Sequence, residues 1–235
     1  MFFLKNLVAF KKNDNVYRYF YPMYSSLKKY LQESLKGELP GFKAHSKMLP
    51  PGRRLKSTAD ELPQVKQSGV LILLFPYEGQ LYTCLTRRPV TMKHHPGQIS
   101  FPGGKVEDGD LSAEMTALRE ANEEVGIDPA NVEVLGQLSD LYVEVSRFSI
   151  QPYLAWANEK PDFVTNSDEV EEIILFPVGE LASHEVVCET DVETVTGVLK
   201  VSYYPFDGKL IWGATAMILS ELVELLKAYK PIAAN

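Results

Sequence analysis

The stretch FPGGKVEDGDLSAEMTALREANEEVGI, Phe101 to Ile127, joins a double glycine to a segment that carries Glu120, Glu123 and Glu124 together. The spacing predicts a helix over 111–125, capped by Asp108 or Asp110 and stopped by Gly126, a residue suited to the left-handed position after a helix. On a wheel of about 100° per residue, Leu111, Met115, Leu118 and Val125 share one side and predict the core stripe. The three glutamates fall opposite, with Arg119 on their edge. Like charges three and four residues apart repel by a few tenths of a kcal/mol per pair, on the order of 0.2–0.5. Either that face lies in water and tolerates the cost, or a cation offsets it. The preceding FPGG gives the backbone freedom to bring a carbonyl beside the helix. Three carboxylates and a carbonyl make an all-oxygen site, which suits Mg²⁺ or Mn²⁺ rather than a thiolate-seeking metal. Arg119 can grip one carboxylate through its planar fork.

Outward from this helix the texture is that of a layered domain. GVLILLFPY (69–77) is a continuous apolar run, hence a buried strand, and QLYTCLTRR follows it across a short EGQ turn as a hairpin partner. QISFPGG, VEVLGQLSDLYV, FSIQPYLAWAN and EVEEIILFPV read as further strands, and FDGK as a turn before the last one. A terminal helix over ATAMILSELVELLKAY presents Ile218, Leu222 and Leu225 on one stripe. Strands and helices alternate without βαβ regularity, so the expectation is an α+β domain with a mixed sheet. That domain spans 67–232 and is preceded by an extension, 1–66, that is partly helical. Leu27, Leu31 and Leu35 recur there at helical spacing, with Ser25 or Ser26 as cap and Gly37 as stop. Packing on the domain, mediating a homodimer and covering the site are all open roles for it. The basic cluster Arg53, Arg54 and Lys56 reads as a surface loop.

The composition excludes several classes. The chain of 235 residues carries a net charge of -7, a poor basis for broad nucleic-acid binding. No run reaches the roughly 20 apolar residues of a membrane span, and the first residues lack a signal peptide's apolar core and cleavage site. Cys84 and Cys188 form no CxxC pair and read as packed thiols. A cytoplasmic protein is expected.

GGKVEDGDLSAEMTALREANEEVGI resembles the Nudix box, G-x5-E-x7-R-E-U-x-E-E-x-G-U, where U is aliphatic. Arg119, Glu120, Glu123, Glu124, Gly126 and Ile127 take their positions, with Ala121 at the first U. The first half departs. One extra residue separates Gly104 from Arg119, Leu111 stands where the first glutamate belongs, and Asp110 is the nearest acid. Together with CLTRRPVTMKHHPGQISFPGG, this longer spacing resembles the coenzyme A diphosphatase branch of the family. Leu85, Thr86, Arg88, Gly97, Phe101, Pro102, Gly103 and Gly104 match that branch, whereas Cys84, Pro89 and Lys93 depart from it. The likeness covers roughly residues 68–226.

The resemblance implies an α/β/α sandwich and a metal-dependent diphosphatase. Gly104, Glu120, Glu123 and Glu124 would hold one to three Mg²⁺ or Mn²⁺ ions. Asp168, Glu169, Glu171 and Glu172 could supply one more acid, with Glu169 the choice. Glu120 is the first candidate for general base and Glu124 the second, with Arg119 orienting one glutamate. Arg87, Arg88 and Lys93 are candidates for the substrate's further phosphates. The expected substrate is coenzyme A or a derivative, cleaved to 4′-phosphopantetheine and adenosine 3′,5′-bisphosphate. The alternatives are a Nudix hydrolase of ADP-ribose, a sugar nucleotide or a dinucleoside polyphosphate, and a catalytically silent nucleotide-binding module. His94 and His95 read as loop residues beside the substrate, and Trp156 and Trp212 as core.

Overall fold

The computed structural model describes residues 14–51, 65–92, 96–194 and 197–230, with side chains from position 24 onward. Arg53, Arg54, Lys56, Lys93, His94 and His95 lie outside the described residues.

The apolar run at 69–77 lies within β1 (Lys66–Tyr77), which is buried on both faces because helices cover both. Its side chains alternate between two cores. Ile72 and Leu74 enter one, while Leu71, Leu73 and Phe75 enter the other. The EGQ turn makes the expected hairpin to β2 (Gln80–Arg87), with Glu78 and Gly79 both at positive φ, as a two-residue turn of this hand requires. β1 also pairs in parallel with β7 (Phe148–Trp156) from Lys66↔Phe148 to Leu74↔Trp156. All the other pairings are antiparallel. β2 binds β3 (Ile99–Ser100) and β8 (Glu172–Phe176), β1 binds β4 (Gly103–Lys105), and β7 binds β5 (Glu133–Gln137) and β6 (Leu141–Val143). The segment QISFPGG is thus two short strands flanking a crossing, at which Leu71 N–H donates to the Pro102 carbonyl at 2.8 Å.

Helix α3 (Ala113–Val125) covers one face of this eight-stranded mixed sheet. The other face is covered by α1 (Asp14–Ser34) and α5 (Gly213–Ala228). The result is the expected α+β sandwich. α4 (Val178–Ser183) adds Val178, Leu181 and Ala182 to the second core. A separate antiparallel sheet comprises β9 (Cys188–Thr194), β10 (Gly197–Phe206) and β11 (Lys209–Trp212), with Asp207 and Gly208 at positive φ in the FDGK turn. Ile218, Leu222 and Leu225 are buried as the stripe on α5 requires.

The N-terminal segment packs on the domain. Tyr24, Leu27 and Leu31 enter the α5 core, and the Tyr24 ring lies 6.2 Å from that of Trp156. Ser25 and Ser26 do not cap α1, because the helix already begins at Asp14. The short helix α2 (Gly41–His45) is held by a buried carboxylate on α5. Glu221 accepts from His45 Nε2 at 2.9 Å, from Gly41 N–H at 3.1 Å and from Ser139 Oγ at 2.6 Å. Burial pushes the Glu221 carboxyl up, but these hydrogen bonds outweigh it and hold the group below its ordinary value. No helix among the described residues is long and apolar enough to cross a membrane. Cys84 and Cys188 are free thiols, and burial pushes the Cys84 thiol upward, away from reactivity.

Candidate active site

Helix α3 starts at Ser112, whose Oγ accepts from Met115 N–H at 3.2 Å, and not at Asp108 or Asp110. It ends as expected at Gly126, with φ of 72°. Of the stripe read from the wheel, Val125 is buried and Leu118 packs against the core, but Leu111 and Met115 do not. Leu111 is 88% exposed and Met115 46% exposed, while Ala113, Ala117, Ala121 and Val125 form the packed face. The reason is proximity. A Cβ on Gly69 of β1 would fall 1.9 Å from the Ala113 carbonyl oxygen, so helix and strand touch backbone to backbone and only small side chains fit between them.

The resulting rotation turns the acidic residues inward. Glu124 is only 4% exposed and accepts from Gly103 N–H at 3.2 Å. Glu120 is half-buried over Gly104, where an added Cβ would lie 2.3 Å from its carboxyl carbon. The double glycine thus provides room for a carboxylate as well as freedom for the backbone. Glu169 comes in from the loop before β8, as the sequence suggested. One carboxylate oxygen from each of Glu120, Glu124 and Glu169 lies within 4.8 Å of the others. Glu123 is not part of this group. Its carboxylate is half exposed and bound to Arg119 at 2.9 Å.

Arg119 does not serve a single glutamate. Its Nε and a terminal nitrogen grip Asp110 at 3.0 and 2.9 Å, and its other terminal nitrogen reaches Glu123 at 2.9 Å and Glu120 at 3.0 Å. The Arg119 hydrogen bonds hold the Asp110 carboxyl well below the usual range. Asp110 is therefore the carboxylate that Arg119 grips with two nitrogens. The sequence signal was its status as the nearest acid to the displaced box position. Its partners, Arg119 and the Thr116 hydroxyl at 2.8 Å, became visible only in the fold.

The candidate phosphate ligands divide. Arg87 pairs with Glu172 at 3.1 Å and Glu171 at 3.5 Å. Arg88, the residue that follows β2, is near enough to Glu124 to draw its carboxyl down against the larger effect of burial. The Arg88 Nε is buried and has no hydrogen-bond partner among the described residues. Trp156 is buried in the core, and Trp212 is half-buried at the end of β11.

Burial dominates the electrostatics of the cluster. It raises the Glu120 carboxyl and pushes Glu124 up to about 8, with neighbouring carboxylates adding to both shifts. Arg119 is shared among Asp110, Glu123 and Glu120, and Arg88 offsets only part of the burial of Glu124, so the crowded carboxylates are incompletely compensated. The all-oxygen donor set fits a hard divalent cation.

Comparisons with known proteins bear on the family. The NUDIX domain profile matches residues 65–193. The uncharacterized Nudix hydrolase NudL of Pectobacterium atrosepticum is 35% identical over 159 residues, covering 68% of this chain and 82% of that protein. Nudix hydrolase 3 of Caenorhabditis elegans is 28% identical over 173 residues, covering 67% of this chain and 72% of its own length. Among solved structures, the M. smegmatis Nudix hydrolase RenU aligns with a TM-score of 0.49 at 16% identity, over 74% of this chain and 92% of that one. By the domain match and the Pectobacterium relative, the chain belongs to the Nudix family of hydrolases.

Proposed function

We propose that this Nudix hydrolase of a nucleotide-linked substrate acts on coenzyme A or a derivative, giving 4′-phosphopantetheine and adenosine 3′,5′-bisphosphate. The observation that carries the substrate choice is Arg88. It belongs to the branch-like motif, its guanidinium Nε is buried without a partner among the described residues, and its charge is felt at Glu124. A cation beside the acidic cluster but not consumed by it suits the anionic oxygens of a phosphorylated nucleotide.

Glu120, Glu124 and Glu169, with the Gly104 carbonyl as a further donor, are the residues to hold Mg²⁺ or Mn²⁺. Such an ion, when bound, neutralises diphosphate charge and lowers the pKa of a water. The chain's own groups do the positioning. Asp110 fixes Arg119, and Arg119 holds one oxygen of Glu120. Gly103 N–H fixes Glu124. Glu120 is less buried than Glu124, so it is the better placed to take the proton of the attacking water as general base. Arg88 offsets charge on the substrate's phosphates.

The test is turnover of coenzyme A, ADP-ribose and diadenosine tetraphosphate with Mg²⁺ or Mn²⁺, for the parent, Glu120→Gln and Arg88→Ala. The reading expects coenzyme A to be preferred. Glu120→Gln should lose turnover on every substrate, while Arg88→Ala loses most on coenzyme A. Preference for either other substrate moves the chain to another branch of the family. Full turnover by Glu120→Gln removes it from the role of base.

A further inference from the structure

The cluster draws two carboxylates from one helix and the third, Glu169, from a loop, where nothing regular holds a side chain in place. The loop is tied to the helix end by its backbone. Val164 N–H donates to the Val125 carbonyl at 3.0 Å, and Asn166 N–H to the Glu124 carbonyl at 3.0 Å, satisfying carbonyls that the helix leaves without partners. Asn166 then opens a single turn. Its carbonyl accepts from Glu169 N–H at 3.1 Å and Val170 N–H at 2.9 Å, and its Oδ1 accepts from Asp168 N–H at 3.2 Å. Val170 is 1% exposed in the α3 core and anchors the far end of the turn. Glu169 thus stands between a buried valine and a residue bonded to the very residue that carries Glu124.

We infer that Asn166 is a positioning residue for Glu169, and that its side chain sets the distance between the loop carboxylate and the two on α3. The inference rests on the reading of Glu120, Glu124 and Glu169 as the cation site. The backbone links at Asn166 survive any substitution other than proline. The side-chain acceptor does not, and losing it hands the exposed Asp168 N–H to water and leaves the turn free to open. Serine retains an acceptor oxygen at the same place in the turn, and alanine does not.

The test titrates the full chain with Mn²⁺ alone, reading free Mn²⁺ by electron paramagnetic resonance. Asn166→Ala should weaken Mn²⁺ binding about tenfold, as loss of a ligand's support does, and Asn166→Ser should recover most of it. In a Glu169→Gln background, Asn166→Ala should add less than about a twofold loss, because the residue it positions is gone. Melting temperatures should stay within about 3 °C of the parent. The inference is overturned if Asn166→Ala binds Mn²⁺ like the parent, if its loss is as large without Glu169, or if serine fails to rescue. Glu124→Gln separates this from failure of the site itself. If that variant binds Mn²⁺ like the parent, the cation-site reading falls and takes the role of Asn166 with it, whatever Asn166→Ala does.

Discussion

Alanine at position 69 tests how closely α3 lies on β1. The added Cβ would sit 1.9 Å from the Ala113 carbonyl oxygen, 2.9 Å from its carbon and 3.0 Å from Ala117 N. These are all backbone atoms of the helix's first turns, so no side chain can swing aside. Relief requires the helix start to lift by about 1 Å or more, which strips contacts from a close-packed interior. Overpacking of this kind costs roughly 1–3 kcal/mol, and a rigid backbone obstacle puts Gly69→Ala at the upper end, about 3 kcal/mol. At about 2–4 °C per kcal/mol for a chain of this size, the melting temperature should fall by roughly 10 °C. The same substitution at Gly104 meets a different obstacle, the Glu120 carboxylate, with its carbon and nearer oxygen at 2.3 Å. That group is the end of a flexible side chain and can rotate away. Gly104→Ala should therefore melt within about 3 °C of the parent but lose turnover by about a hundredfold, because a displaced catalytic group costs that much. Differential scanning fluorimetry and a turnover assay on both variants decide the matter. If Gly69→Ala melts like the parent, or Gly104→Ala turns over at the parental rate, the glycines do not set the helix and its carboxylate as argued.

Other outcomes follow from the same contacts. With its carboxyl raised to about 8, Glu124 stays protonated in the metal-free folded chain while its unfolded counterpart has ionised, so stability falls as pH rises from about 4.5 to about 8 and then levels off. The melting temperature in EDTA should drop between pH 5.5 and 8.5, Mn²⁺ should reverse the drop at pH 8.5, and Glu124→Gln should flatten it. A parallel fall in parent and variant would show that other groups are responsible. Asp110→Asn removes the charge that grips Arg119 and should lower kcat/KM by about tenfold, the usual cost of losing a ligand's support. Unchanged kinetics would mean that Arg119 orients Glu120 without Asp110. His45→Ala leaves the fully buried Glu221 carboxylate without its His45 Nε2 hydrogen bond and should cost about 1–3 kcal/mol, visible as a fall of roughly 3–10 °C in the thermal midpoint. A parental midpoint would show that Ser139 and the Gly41 N–H suffice for that carboxylate.

The strand order of the central hairpin, the helix stop at Gly126 and the α5 stripe were legible because local chemistry decides them. A two-residue turn needs positive φ, a helix end favours glycine, and a leucine stripe seeks a core. The packed face of α3 was not legible from hydrophobicity alone. Alanine is weakly apolar and scores poorly against Leu111 and Met115, yet Gly69 leaves room for nothing larger. The clue was present in the glycines, but it required knowing which strand the helix crosses. In the candidate site, the pair Glu120 and Glu124 followed from spacing on one helix. Glu169 depended on a loop folding back across about 45 residues and could only be guessed among four acids. Asp110 in place of Leu111 was obscured by the single inserted residue, whose effect on a loop ahead of a helix has no periodic signature. His45 looked like an ordinary histidine because its partner, Glu221, is distant in sequence.

The long parallel ladder between β1 and β7 also shapes how the chain reaches its native state. Its two strands are made about eighty residues apart, so during synthesis at roughly 5–20 residues per second β1 waits several seconds for its neighbour. In that interval the uninterrupted run of Leu71, Ile72, Leu73, Leu74 and Phe75 keeps the edge that β7 will pair open, although β2, β4 and α3 are made early enough to cover it elsewhere. Such a run is the kind of segment that binds holdase chaperones or nucleates aggregates. The ribosome-bound chain is therefore most exposed to misassembly between completion of the first hairpin and emergence of Trp156, and faster production at higher temperature should lower soluble yield before it disturbs α3.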